Sequence, residues 1–356
     1  MDTLTSQDYL GIDLGTANTL LYVKGKGVIV REPSVVAYDA ETGRVLSVGS
    51  GAKSMIGKTP GSIKVIHPLK GGVIADFEFC SAMLGDFIKR CGIGFSAAKP
   101  RALICVPHNI SELQKRAVED TAMEAGLRSV TLVEEPLCAA IGAELPVSSP
   151  VGCMVASIGG GTTELGVVAG CGCAVSYSSR IAGNTLDNAI QSYIRQEFNV
   201  AIGSATAEQI KLSIGSAHPT TDIGAVEVKG INTRTGHAAQ FTLYSAEVRE
   251  AISEPLAYLF DAFKTTLEMT PPELCSDVYD GGITLCGGSA LLNGLDYYLS
   301  EKTGLAVRTA KKPADCVVNG LGKLLCDDAL RQKVSSLKSI ADDDYPSEQE
   351  LFGTKQ

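Results

Sequence analysis

The chain has no surplus of positive charge: 31 Lys and Arg stand against 40 Asp and Glu in 356 residues, a formal net charge of −9. Nothing supplies the broad cationic surface that a nucleic-acid backbone requires, so nucleic acid is excluded as a bulk partner and only a small local basic patch stays open. The opening residues, Met1-Asp-Thr-Leu-Thr-Ser-Gln-Asp8, have neither a basic n-region nor an apolar h-region, and no secretory leader is expected. An uninterrupted apolar run is missing too. The longest weakly charged stretch, Val151 to Val175, is broken by Gly159-Gly-Gly161, Thr162, Thr163 and Glu164, which suits two buried strands around a turn. On these absences the protein is expected to stay in the cytoplasm. Zinc-type spacing is lacking among the 11 cysteines: Cys171-Gly-Cys173, the one close pair, has no two-residue spacer and no His or Cys partners. Cys105, Cys153 and Cys286 sit in apolar strand-like runs and read as small core hydrophobes, with no metal or redox role assigned. Low complexity is confined to the tail after about Ser335, polar around Asp342-Asp-Asp-Tyr-Pro-Ser-Glu-Gln-Glu350.

What is present is the balance of a two-domain globular protein, 45% hydrophobic and 20% charged, and one pattern that occurs twice. A strand-like run, a small polar or acidic residue and a Gly/Thr turn appear as Leu10-Gly-Ile-Asp13-Leu-Gly15-Thr16-Ala17-Asn18-Thr19 and again as Val155-Ala-Ser157-Ile-Gly159-Gly160-Gly161-Thr162-Thr163-Glu164. Such turns expose successive backbone N–H groups and hydroxyls to phosphate oxygens, and glycine permits close approach. Two of them imply two related halves closing on one polyphosphate.

The remainder alternates between the two periodicities. Leu20–Val23, Gly27–Val30 and Ser34–Tyr38 read as an opening β-meander. Met83, Leu84, Phe87 and Ile88 fall at helical spacing within Phe79 to Cys91. A buried strand at Ala102–Val106 precedes a helix that opens on the capping box Ser111-Glu-Leu-Gln114 and stops at Gly126. Val130–Val133 leads into Glu134-Glu135-Pro136, with proline expected at the first helical position. The second half repeats the plan, with strands between Gly152 and Ser178 and helices near Leu186 to Phe198, Ala207 to Ile214 and Ser245 to Leu267. A strand at Gly282–Cys286 then ends in a third glycine turn, Gly287-Gly288-Ser289-Ala290-Leu291.

Taken in order, the Asp13-Leu-Gly-Thr-Ala-Asn-Thr19 turn, Val133-Glu-Glu-Pro136, Ile158-Gly-Gly-Gly-Thr-Thr-Glu164, Arg180-Ile-Ala-Gly-Asn184, the string Thr206 to Ala217 and Thr270-Pro-Pro-Glu-Leu274 resemble the MreB family of bacterial actins. That family belongs to the actin, heat-shock chaperone and sugar kinase superfamily. The resemblance runs unbroken over about residues 8 to 330. It implies an α/β actin-like ATPase fold, two related ribonuclease-H-like domains around a nucleotide cleft, each with a smaller subdomain. Domain I would span 1–148 with its subdomain at about 33–68, domain II 149–312 with its subdomain at about 183–246, residues 313–334 returning to domain I before the tail at 335–356.

Each site residue has its own chemistry. Asp13, at a strand end before the first turn, suits holding Mg²⁺, directly or through water, while Gly15, Thr16, Ala17 and Asn18 approach the phosphates of ATP; a turn-stabilising Asp is the alternative. Gly159, Gly160, Gly161 and Thr162 would close from the other side. Glu208 and Lys211 share a helix face behind a Thr206 cap, and an exposed ion pair between them is the bland alternative. The resemblance makes Glu208, Gln209, Ile210 and Lys211 the ribose contact, and Gly183, Gly287, Gly288, Ser289, Ala290 and Leu291 the adenine-side wall. Glu135 and Thr162 are the catalytic candidates. Pro136 biases Glu135 away from helical geometry, leaving its carboxylate to orient the attacking water; a carboxylate favoured by a helix N-terminus is the other reading.

The chain departs from the family at three places. Ser157 stands where aspartate is usual, Asn184-Thr185 replaces Asp-Glu, and Ser289 replaces a third glycine. Loss of the aspartate removes a carboxylate from the metal and water shell, so the activity expected is at most a slow ATPase coupled to polymerisation, as in a divergent paralogue. The loop Cys91-Gly-Ile93-Gly-Phe95-Ser-Ala-Ala98 places Ile93 and Phe95 between Lys89, Arg90, Lys99 and Arg101. An apolar tip with basic flanks suits shallow insertion into an anionic leaflet, against packing on its own domain. The resemblance favours insertion and implies a protein that polymerises with itself on the inner face of the cell membrane, peripheral to it, beside membrane proteins of wall synthesis. A small-molecule kinase or phosphatase would need an acceptor pocket with a base, and a chaperone-type ATPase a substrate-binding domain; neither is evident.

Overall fold

The computed structural model describes residues 8–92, 99–108 and 110–334. In the first half the elements run β1 (Asp8–Leu14), β2 (Asn18–Val23), β3 (Gly27–Pro33), β4 (Val36–Asp39), β5 (Val45–Val48), α1 (Ser50–Lys53) and β6 (Ile63–Ile66). There follow β7 (Leu69–Lys70), β8 (Val73–Ile74), α2 (Phe77–Arg90), β9 (Arg101–Val106), α3 (Glu112–Glu124), β10 (Ser129–Glu134) and α4 (Glu135–Gly142). The second half starts with β11 (Cys153–Ile158), β12 (Thr163–Ala169), β13 (Gly172–Ser179), α5 (Gly183–Glu197), β14 (Val200–Ala201) and α6 (Ser204–Ile214). It continues with β15 (Ala225–Asn232), β16 (Ala238–Tyr244), α7 (Ser245–Ala251), α8 (Ser253–Met269) and α9 (Pro272–Gly281). Last come β17 (Ile283–Cys286), α10 (Leu295–Thr303), β18 (Val307–Thr309) and α11 (Cys316–Cys326).

Two five-stranded sheets repeat one plan. The first is ordered β10-β9-β1-β2-β3 and the second β18-β17-β11-β12-β13. In each, an antiparallel meander (β1-β2-β3 or β11-β12-β13) is extended by parallel strands reached through helices. The meanders follow from short β-branched runs separated by glycine turns, and the parallel pairs from the helical text between them. Each half adds a small three-stranded sheet, β5-β4-β6 and β14-β15-β16.

Separate cores fill the halves, Leu10, Ile12, Met83, Leu84 and Phe87 in the first and Ile158, Leu165, Ile190, Phe263 and Leu285 in the second. A third core joins them, built from Leu103, Val133, Leu137, Val155, Leu321 and five buried cysteines. Here α11 crosses α4 at a glycine notch: a Cβ on Gly142 would collide with the Cys316 carbonyl, and one on Gly320 with that of Cys138. Backbone meets backbone at that crossing, so the joint between the sheets is stiff.

Local rules explain most helix starts. Asp76 caps α2 by accepting the Phe79 N–H at 3.1 Å, and Ser111 and Gln114 make the reciprocal box on α3. Five sequence expectations are corrected. Ser34–Tyr38, expected as the third strand of the opening meander, instead supplies β4 of the small sheet, and the meander is β1-β2-β3. The helix expected over Ser245 to Leu267 is two, α7 and α8, meeting at Ile252, because Pro255 has no N–H to give the Ala251 carbonyl. α6 begins at Ser204 with Gly203 before it, so Thr206 lies inside the helix. Glu135 is itself the first residue of α4 and Pro136 the second, the turn to extended backbone falling at Glu134. The Val151–Val175 stretch reaches into a third strand, since β13 opens at Gly172.

Candidate functional site

The two Gly/Thr turns touch. A Cβ added to Gly161 would lie 2.5 Å from Thr16 Oγ1, and one on Gly160 would overlap the Ala17 methyl group. Only glycine lets the second turn come this close to the first. Around them opens a cleft of about 610 Å³ between the halves, lined by Asp13, Gly15, Thr16, Ala17 and Asn18 from one side and Gly159 to Thr162 from the other.

Side chains outside each turn hold it in shape. Ser34 Oγ donates to the Gly15 carbonyl at 2.6 Å, the Ser34 N–H donates to the Ala17 carbonyl, and Thr16 Oγ1 accepts the Gly72 N–H at 3.0 Å. In the second turn the Gly159 N–H bonds the Thr162 carbonyl at 2.9 Å, while the Gly160 carbonyl accepts from the Asn184 N–H. Ser289 donates its hydroxyl to the Gly159 carbonyl at 2.7 Å. That hydroxyl ties the third glycine turn to the second.

Asp13 and Glu135 lie at the cleft floor. Asp13 Oδ1 accepts from the Cys105 thiol at 3.3 Å, across the β1–β9 register pair. Desolvation pushes its pKa up to about 6, the thiol opposing. Ser157 Oγ donates to Glu135 Oε1 at 2.8 Å. Burial, then the neighbouring charges of Glu164 and Asp13, push the Glu135 pKa well above the usual carboxylate range, with Ser157 opposing. Two recessed carboxylates with no ion pair among the described residues make an oxygen donor set that suits a hard divalent ion with its waters. A smaller cavity of about 130 Å³ adjoins them, lined by Thr16, Cys105, Glu135 and Thr162 and closed by Ile74, Val106 and Val118.

Glu208 and Lys211 do not pair with each other. Glu208 bonds Lys53 of α1 at 2.7 Å across the two halves, and Lys211 bonds Asp187 at 2.8 Å and the Gly183 carbonyl at 3.0 Å. The exposed-pair alternative is thereby removed. Both residues line the cleft, with Gly183, Gly287, Gly288, Ser289 and Leu291. Three expected residues do not line it: Gln209 is exposed elsewhere on α6, and Ile210 and Ala290 are buried in the second core. α6 and its C-cap present Glu208, Lys211, Leu212 and Gly215 to the cleft, the i, i+3, i+4, i+7 face of a helix, and Gln209 and Ile210 fall off that face. Sequence reasoning missed Arg31, Asp187, Asn293, Pro313 and Ala314, which also line the cleft. Only Asp187 carried a local signal, one helical turn beyond Gly183 on the same face of α5. Ile93 and Phe95 lie outside the described residues.

Two repeated sheets with a cleft between them and paired glycine turns on its floor define the actin-like fold. The crystal structure of MreB5 of Spiroplasma citri bound to AMPPNP superposes with a TM-score of 0.86 at 34% identity, covering 94% of this chain and 98% of that one. The MamK double helical filament structure shares the fold at 22% identity and a TM-score of 0.77, covering 89% and 98%. The pattern of the MreB/Mbl protein family matches residues 7–333, and the chain belongs to that family. It is 48% identical over 321 residues to the cell shape-determining protein MreB of Escherichia coli K12, covering 89% of this chain and 92% of the relative. To the cell shape-determining protein Mbl of Bacillus subtilis 168 it is 45% identical over 316 residues, covering 89% and 95%.

Proposed function

We propose that this protein is an ATP-binding, actin-like cytoskeletal subunit that polymerises with itself on the inner face of the cell membrane and organises wall synthesis and cell shape. The observation that carries the reading is the contact of Gly160 and Gly161 with Ala17 and Thr16 on the floor of one cleft. Opposed glycine turns facing one cleft match a polyphosphate, which no single glycine turn would specify. MreB5 of S. citri, 34% identical, has been solved with AMPPNP and with ADP, which supports the same ligand class here. The relatives' role in cell shape supports the cellular part of the reading.

Asp13 would hold Mg²⁺ directly or through water, with Glu135 and Ser157 beside it. Bound there, the ion would neutralise the β- and γ-phosphate charge and order nearby water. Thr16, Asn18, Gly160, Gly161 and Thr162 bind the phosphates. Glu208 and Lys211 hold the ribose, and Gly183 with Gly287 to Ser289 and Leu291 forms the wall on the adenine side. Glu135 positions the attacking water and Thr162 faces the γ-phosphate. Head-to-tail contacts that do not close generate filaments, and Ile93 and Phe95 anchor them to anionic lipid.

Electron microscopy of the purified protein on anionic liposomes, with and without ATP, tests the whole reading. Filaments on the lipid that need ATP are expected. Protein that binds ATP and stays monomeric on lipid overturns the cytoskeletal part, and protein that binds no ATP overturns all of it.

A further inference from the structure

The cleft wall holds a buried carboxylate that the protein leaves with one oxygen short of a hydrogen bond. Asp187 stands on α5 one helical turn beyond Gly183, lines the cleft and is only 8% exposed. Lys211 of α6 faces it, with Nζ 2.8 Å from Asp187 Oδ1 and 2.9 Å from Oδ2. The ammonium donates to Oδ2 and, at 3.0 Å, to the Gly183 carbonyl. Oδ1 therefore shares in the ion pair but accepts no hydrogen bond among the described residues. An ammonium has three protons, and those two bonds use two of them.

The corner around this pair is open and its other polar groups are engaged. A Cβ on Gly183 would stand 3.3 Å from Lys211 Nζ and 2.6 Å from Ser289 Oγ, so glycine keeps the ammonium accessible from the cleft. Glu208 is bound by Lys53 through both carboxylate oxygens, at 3.0 Å and 2.7 Å, and the Ser289 hydroxyl is given to the Gly159 carbonyl. What remains is an acceptor on Asp187 beside a donor on Lys211. That pair matches a hydroxyl group, which gives one proton and accepts another. A phosphate would bring negative charge against a buried carboxylate, so the corner suits the uncharged sugar of a nucleotide.

We propose that Asp187 determines sugar specificity: its Oδ1 accepts a ribose hydroxyl to which Lys211 donates, so the cleft selects ribonucleotides over nucleotides that lack that hydroxyl. The inference rests on the nucleotide reading above and adds to it the residue that reads the sugar. A hydrogen bond to a charged acceptor is stronger than one between neutral groups. A site built around a buried acceptor rejects the analogue without the hydroxyl, because the acceptor is then left unpaired and out of water.

The test measures, by isothermal titration calorimetry with Mg²⁺ present, the affinity of the native full chain for ATP, 2′-deoxy-ATP and 3′-deoxy-ATP. At least one deoxy analogue should bind roughly ten- to hundredfold more weakly than ATP. In Asp187→Ala the affinity for ATP should fall towards that of the analogue, the ratio shrinking to about threefold or less. Damage to the fold or to the cleft's shape weakens all three nucleotides alike and leaves the ratio as it was, so the ratio separates sugar recognition from a structural role. Should Asp187→Ala fail to fold around the lone Lys211 charge, the double variant Asp187→Leu with Lys211→Met, which buries no unpaired charge, is read in the same way. Equal affinity of the native protein for all three nucleotides means that the corner holds water, and overturns the inference while ATP binding stands. A native ratio that survives in the folded variant overturns the role of Asp187. Failure to bind any of the three overturns the nucleotide reading and this inference with it.

Discussion

Lys53 Nζ lies 2.7 Å from Glu208 Oε2, a bond between α1 of the first half and α6 of the second, 155 residues apart in sequence. Both side chains are more than a third exposed, and exposed pairs contribute about 0–1 kcal/mol. That is enough to shift an open–closed equilibrium by up to about fivefold. Lys53→Met should therefore speed release of a fluorescent ATP analogue by roughly two- to fivefold without lowering thermal stability. High salt should bring the native protein towards the variant. Release rates that are equal at low salt would show that the bond does not hold the cleft.

The contact of the turns sets a sharper test. Gly161→Val puts a branched side chain where Thr16 Oγ1 already sits 2.5 Å from a bare Cβ position. The turns must move apart, and ATP affinity should fall by a hundredfold or more, about 3 kcal/mol, while circular dichroism stays native. Tight ATP binding by a folded Gly161→Val protein would remove the phosphate role of the second turn.

Much of this architecture is legible in the chain. The second meander, the β2–β3 hairpin of the first, the α3 capping box and the strand-to-turn junctions after Leu14 and Ile158 are written in residues close together, where turn chemistry and periodicity decide. The faces of α6 were less legible: contiguous matching to a family string included Gln209 and Ile210, though a helix turns them from the cleft. Lys53 and Pro313 reach the site or its rim through tertiary packing alone, so no local spacing reveals them, whereas Asp187 stood one helical turn beyond Gly183. Pro255 did carry a signal for the α7–α8 break, since a proline nearly three turns into an expected helix leaves a carbonyl unpaired.

Glu164 gives a pH dependence. It is fully buried directly opposite Ser157, accepts from Ser178 Oγ at 2.6 Å, and desolvation pushes its pKa up to about 7. An acid with a raised pKa binds more protons folded than unfolded, so stability falls as pH rises from the unfolded value towards 7. Without nucleotide and metal, the melting temperature should decline from pH 5 to pH 7.5, and Glu164→Gln should flatten that decline. A steeper slope in the variant would contradict the burial cause.

Membrane association is tested at the loop between α2 and β9. Ile93→Ser with Phe95→Ser should reduce co-sedimentation with anionic liposomes while ATP affinity is unchanged, because each buried apolar side chain contributes roughly 1.5–3 kcal/mol. Undiminished co-sedimentation would assign the loop to packing on its own half.

Ser157 is where the chemistry of this chain diverges. Its hydroxyl donates to Glu135 at 2.8 Å and supplies no negative charge of its own, so on the proposed function Mg²⁺ and the attacking water would be held less firmly than by an aspartate. Slow ATP hydrolysis is the expected native behaviour, with Glu135 carrying water positioning. Ser157→Asp adds a carboxylate beside Glu135; with no ion present the two repel and the protein should be less stable, whereas saturating Mg²⁺ should restore it. Turnover of Ser157→Asp should rise by roughly tenfold, a barrier change of about 1.4 kcal/mol, with a lower Mg²⁺ requirement. Glu135→Ala should abolish turnover in both backgrounds while leaving ATP affinity within a few-fold. Fast native hydrolysis that Ser157→Asp leaves unaltered would mean that water is ordered by groups other than these, and that the serine is neutral to the chemistry.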